Sequence, residues 1–242
     1  MRKFFQARFR VHYTWIMAVL IITWAITTQF STDIQFWVRV GSGAGASALF
    51  FTTIVIRQLI LVVLASYKGI NVKSVTIFAF GGLLEVDQEK TSPAQELMLA
   101  LAGILSNLVI TCIFYLVYVI RAQTGPIMIN VIIKWLAFLY FTLTLFHFLP
   151  GYPLEGGRIF RAILWKSLND GRRATQIVTW TSWTLGLIIT VGGIFILVFT
   201  IESFTGVFLI VISLILQNAA THSRRVLNKA VLPVAKATEE AA

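Results

Sequence analysis

Long apolar runs separated by short polar patches occupy the chain from residue 11 to residue 220. Crossing a hydrocarbon core takes about 20 apolar residues as a helix. Six stretches meet that requirement: Val11–Phe30, Ala46–Ser66, Ala94–Ile120, Ile127–Leu149, Ile177–Phe199 and Ser203–Ala220. Between the second and third, Val72 to Val86 carries β-branched and aromatic residues broken by Gly81-Gly82, which predicts strand, turn and strand. The pattern therefore predicts an all-α polytopic membrane protein of about six transmembrane helices, with a small membrane-associated β segment over 72–86. Residues 1–221 form the membrane domain and 222–242 a tail that is a surface helix or a frayed end. The apolar core of the first span is longer than a cleaved signal peptide needs, and no small-x-small site follows it.

Composition agrees with a membrane solvent. Hydrophobic residues make up 57% and charged residues 12%, with a mean hydropathy of +0.83, which excludes an ordinary soluble domain. The net charge of +10 is a matter of placement. With the N-terminus inside, every Lys and Arg outside the spans falls on one side except Arg39 and Arg121, so both termini are expected in the cytoplasm of a bacterial cell whose plasma membrane holds the chain. Basic loops so placed face anionic lipid rather than nucleic acid. The single Cys112 lies in a span and serves packing, and the seven tryptophans fall mostly near span ends, as an interfacial belt would have them.

Some motifs promise less than their letters suggest. Gly41-Ser42-Gly43-Ala44-Gly45 lacks the Lys-Ser/Thr pair of a phosphate cradle and reads as a flexible turn opening the second span. Lys134, seven residues into the fourth span, reaches the outer interface, and Ser106 and Asn107 hydrogen-bond between helices. The β segment has two readings of equal weight, a packed loop or an edge strand that pairs with an extended polypeptide.

Several motifs occur in a telling order. Tyr67-Lys68-Gly69-Ile70 is followed by Phe78-Ala79-Phe80-Gly81-Gly82, then Ser92-Pro93-Ala94-Gln95-Glu96, then Ala102-Gly103-Ile104-Leu105-Ser106-Asn107, then Pro150-Gly151-Tyr152-Pro153-Leu154-Glu155-Gly156-Gly157-Arg158. This set resembles the site-2 proteases, the intramembrane zinc metalloproteases, from Phe9 to Ala220. Ile104 stands where that family has Pro, and Glu155 where it has Asp. The resemblance implies a His-Glu-x-x-His helix upstream of Gly69, and the family's spacing sets those positions on Arg57-Gln58-Leu59-Ile60-Leu61. A catalytic zinc takes about three protein ligands and an open position. A guanidinium has no lone pair to give, an aliphatic side chain no donor atom, and Gln58 cannot take a proton as Glu would.

These substitutions lead to the expectation of no enzyme, no metal ligand and no cofactor. Of the three histidines, His147 lies eight residues before Glu155, where the family has Asn, and is expected as a packed polar residue. Arg57, Gln58, Leu61 and Glu155 form a degenerate active site, in which Arg57 and Glu155 are expected to pair in place of the metal. His147, Asn107, Phe80 and Gly81 are the candidate cleft or partner-binding residues. The function expected is that of an accessory, assembly or regulatory subunit that binds an integral membrane partner. The alternatives are an unconventional intramembrane metalloprotease and, on the strength of Arg57 and Lys134 at membrane depth, a transporter or channel. Against the last stand the lack of paired broken spans and of repeated halves.

Overall fold

A computed structural model describes residues 8–78, 81–86, 91–124, 126–152 and 154–200, and beyond these 206–207, 209–214, 216–218, 220–221 and 223. The chain divides into two compact units, Met1–His147 and Phe148–Ala242.

The first unit holds strand β1 (Arg8–Val11), helices α1 (Thr14–Thr27) and α2 (Phe36–Tyr67), strands β2 (Val72–Phe78) and β3 (Gly81–Val86), and helices α3 (Pro93–Arg121) and α4 (Ile127–His147). The expected strand–turn–strand is present, and β2 and β3 pair antiparallel with Val75 opposite Leu84 and Phe78 opposite Gly81. The sheet also gains β1, parallel to β2, giving the order β1-β2-β3. Val11 thus belongs to a strand rather than to the first span, and its neighbour His12 extends the pairing through its N–H to the Ile77 carbonyl at 2.8 Å. Below the sheet, Val62, Ala65, Ile70, Val75, Leu84 and Leu99 form a core, and a second core of Phe50, Phe51, Ile54, Leu136, Tyr140 and Leu143 joins α2 to α4.

Among the described residues four helices are long and apolar enough to cross a membrane: α2, α3, α4 and α6 (Gly171–Phe199). The expected count of six is not reproduced. Helix α1 has 14 residues, shorter than the run Val11–Phe30, because β1 takes its start and its last turn closes on Thr27 and Thr28. The final run, Ser203–Ala220, lies partly outside the described residues. The turn expected at Gly41 to Gly45 is also corrected, since these residues lie inside the 32-residue helix α2. In an apolar solvent the backbone must satisfy its own hydrogen bonds, so a helix runs straight through glycines that would break it in water.

The second unit opens with a loop that leads into α5 (Glu155–Leu168), followed by α6. Asn169 adopts a left-handed conformation (φ 52°), and Asp170 then caps α6 through Oδ1, which accepts from the N–H of Arg172 at 2.8 Å and of Arg173 at 3.1 Å. Helix α3 has an equally explicit start. Ser92 and Gln95 form a reciprocal capping box with Pro93 in the first turn, so Ser92-Pro93-Ala94-Gln95 in the family-like motif is a helix-start device. Residues 222 and 224–242 of the expected tail lie outside the described residues.

Candidate functional site

Helix α2 turns Arg57, Gln58 and Leu61 inward, and all three are buried. Residues 57 and 61, four apart, share one helical face as a ligand pair would. Arg57 is only 2% exposed at a depth where a bare charge is costly, and its neighbours answer that charge. Its Nε donates to Ser106 Oγ at 2.8 Å and its Nη2 to the Gly103 carbonyl at 2.7 Å, while Ser106 Oγ donates to the same carbonyl at 2.7 Å. The guanidinium fork thus reads two groups one turn apart on α3.

Gln58 reaches the sheet. Its Nε2 donates to the Gly82 carbonyl at 2.9 Å, and its Oε1 is buried without a partner among the described residues. A Cβ on Gly82 would stand 2.4 Å from Gln58 Cδ, so the second glycine of the pair is needed for this close approach. Gly81 is needed for a different reason. Its φ of +125° belongs to glycine alone, and the ring of His147 lies 3.5 Å from where a Cβ would be.

His147 ends α4, buried, with Nδ1 2.8 Å from the Leu143 carbonyl. The carbonyl can only accept, so Nδ1 donates. Asn107 is fully buried on α3, and neither of its amide atoms has a partner among the described residues. The α3–α4 register puts it level with His147. Thr111 and Thr144 face each other at 3.5 Å, Asn107 is one turn before Thr111, and His147 is one turn after Thr144 on the antiparallel helix. The first unit therefore assembles Arg57, Gln58, Asn107, His147 and Gly81 at one level, bounded by α2, α3, α4 and β3. Phe80, the other expected cleft residue, lies outside the described residues.

Glu155 belongs to the second unit, at the first position of α5, where a carboxylate meets the positive helix end. It is buried, as are Arg158 and Arg161. Gly156 and Gly157 are dictated by sterics. A Cβ at 156 would stand 2.4 Å from the Leu149 carbonyl oxygen, and one at 157 would stand 2.4 Å from the Gly151 carbonyl carbon. The first turn of α5 is thus pressed against the loop that precedes it. Arg161 donates from Nε to Thr175 Oγ1 at 2.6 Å and lies over the Trp165 ring, so this arginine, assigned by sequence to a lipid-facing basic loop, instead ties α5 to α6.

The pattern that defines peptidase family M50 matches residues 60–191, more than half of the chain. The chain belongs to peptidase family M50. A solved structure, the site-2 protease from Methanocaldococcus jannaschii, superposes with a TM-score of 0.64 at 23% identity, over 90% of this chain and 91% of that one. The resemblance to site-2 proteases and the fold it implies are borne out, and the chain is an integral membrane protein. Among curated relatives, Rip3 of Mycobacterium tuberculosis, whose name marks it as an inferred zinc metalloprotease, is 29% identical over 68% of this chain and 43% of its own length. A protein of Synechocystis named in the same way, sll0528, is 28% identical over 91% of this chain and 58% of its own. The M50 chain spans about half the length of these relatives.

These comparisons correct one expectation. The reading that the chain is not an enzyme is overturned, because M50 is a peptidase family and the relatives are named as zinc metalloproteases, which points to a protease. That reading rested on three side chains of one helix, and the donor set of one helix does not decide the chemistry of a whole fold. The donor set itself is as the sequence gives it. No His-Glu-x-x-His occurs in the chain, and among the described residues no three His, Cys, Asp or Glu side chains gather as a metal site would require. At Arg57, Gln58 and Leu61 the M50 chain does not fit a zinc ion.

Proposed function

We propose that this M50 chain binds an extended segment of an integral membrane partner, which adds as a strand to the edge of β3, and that it does so as an accessory, assembly or regulatory subunit. One observation carries this reading: β3 ends the sheet order β1-β2-β3. The opposite edge, β1, carries Arg8 and Arg10, charges of the kind that blunt an edge against pairing. Strand β3 reads Gly-Gly-Leu-Leu-Glu-Val, with Glu85 its one charged residue, and its Gly82 carbonyl lies at the polar cluster. The bias of basic residues supports both termini on the cytoplasmic face of a bacterial plasma membrane, with basic loops against anionic lipid.

The relatives' names favour a second reading, intramembrane proteolysis by a metalloenzyme. One experiment treats both. A photo-crosslinking residue at Glu85, exposed on β3, is introduced into the full chain in native membranes. The strand reading expects an adduct with an extended segment of a membrane protein; adducts with lipid alone would sink it. Incubation of the purified chain with a membrane-spanning reporter then assigns the second reading if cleavage occurs and a zinc chelator stops it.

A further inference from the structure

The polar cluster of the first unit contains hydrogen-bonding capacity that the fold leaves unused. Asn107 presents one amide donor group and one acceptor, and Gln58 presents a second acceptor, each on a fully buried side chain without a partner among the described residues at those atoms. The identity of the Gln58 atoms is fixed by chemistry. Only its NH₂ can donate to the Gly82 carbonyl, so the unused atom is the oxygen. Orphaned polar atoms at membrane depth are costly, and native interiors leave few of them.

The unused atoms define the ligand by elimination. A carboxylate or phosphate would be repelled by the two oxygens and met by one NH₂ group, and two donors of the Arg57 fork already serve Ser106 and Gly103. A cation would suit the oxygens but would meet that NH₂ group beside the Arg57 guanidinium. A neutral group with one N–H and one C=O satisfies both sides of Asn107, and a neighbouring N–H of the same chain can serve Gln58 Oε1. That group is a peptide bond. We propose that Gln58 and Asn107 form a buried side-chain amide site for the backbone of the bound polypeptide, with Gln58 also holding β3 in place beside it. The proposal rests on the reading of this chain as a polypeptide binder and adds the residues that seize the backbone. It also accounts for the two glycines. Gly82 lets Gln58 lie flat against the strand, and Gly81 lets the strand turn beside the His147 ring.

The test uses the full chain in lipid nanodiscs and a synthetic nine-residue apolar peptide. A companion series replaces one backbone amide at a time by an ester, which removes a single N–H donor. Binding is measured to the wild type and to Asn107→Leu. At one position the ester is expected to weaken wild-type binding roughly tenfold, the effect of one hydrogen bond. Asn107→Leu is expected to weaken the all-amide peptide by a similar factor and to erase the penalty at that position only, since pairing along β3 is untouched. Without peptide, Asn107→Leu should unfold at a higher temperature than the wild type, because the orphaned amide is gone; a merely structural role would lower it. Should Asn107→Leu fail to fold, Asn107→Val carries the same comparison. If the peptide binds wild type and variant alike with the same ester profile, the amides hold only water, and this proposal falls while strand addition stands. If the peptide binds neither, strand addition falls and takes the amide site with it.

Discussion

Arg57 shows how a charge is kept inside an apolar helix. Its planar fork gives two donors at fixed separation, and α3 offers Ser106 Oγ and the Gly103 carbonyl one turn apart to receive them. Lysine would keep the charge but not the fork. Arg57→Lys is therefore expected to lose one of the two bonds and about 1.5–3 kcal/mol of stability. Arg57→Ala, which also opens a cavity, should cost about 2–5 kcal/mol. Thermal unfolding in matched detergent orders the two, and an Arg57→Lys variant as stable as the wild type would mean that the fork geometry does not matter. Sequence reasoning located Arg57, Gln58 and Leu61 on one buried stretch, because helical spacing and apolar surroundings leave little choice. It anticipated an interhelical role for Ser106 but not what Gln58 touches. The signal was present in Gly81-Gly82, since paired glycines within a strand mark a close approach, yet only the fold says what approaches. The expected Arg57–Glu155 pair joins residues of two separate units, and each residue is described within its own.

At the level of elements, the apolar runs predicted α3 and α4 to within two residues at each end, and α2 less well. The start of α2 was missed by ten residues because Gly, Ser and Ala were read by the rules of water, where they favour turns. Helix α5 was missed for a different reason. Its Glu-Gly-Gly-Arg start looks polar and broken, but the glycines are there to seat the first turn against residues 148–152. The α5–α6 corner yields a prediction. The Asp170 carboxylate is held below its ordinary pKa, chiefly by the N–H of Arg173 and further by the N–H of Arg172 and the charges of both arginines, with Arg173 Nε at 3.3 Å. A lowered folded-state pKa means the cap contributes fully above the unfolded value, near about pH 4, and is lost as pH falls through the folded one. Hydrogen-exchange protection at the Arg172 and Arg173 amides, taken relative to the intrinsic rate at each pH, should therefore fall on acidification. Asp170→Asn, which keeps an acceptor but no titrating group, should flatten that response.

For the molecule as a whole, the ordered motifs carried the family correctly while the reading of its chemistry did not hold. Fold and family are written across many residues, so several substitutions leave them legible. Catalysis is written in a few, and relatives named as zinc metalloproteases outweigh an argument built on three of them. The edge strand was legible as a possibility. Its availability depends on β1 lying on the other side of β2, a parallel pairing of residues far apart in sequence that no local pattern announces.

Helix α2 has one more consequence, which concerns bilayer thickness. Its 32 residues make a rod of about 48 Å, against about 30 Å for the hydrocarbon and about 40–45 Å with the headgroups included. Arg39 near one end and Lys68 just past the other are about 44 Å apart along that rod, so an upright α2 sets both cations among the headgroups. Arg57, eleven residues before Lys68, then sits about 16 Å inward of that anchor, toward the midplane. The rod thus measures depth, and short-chain lipids would force it to tilt. Partner binding in nanodiscs should weaken as acyl chains shorten, and affinity independent of chain length would show that α2 does not set the depth of the site.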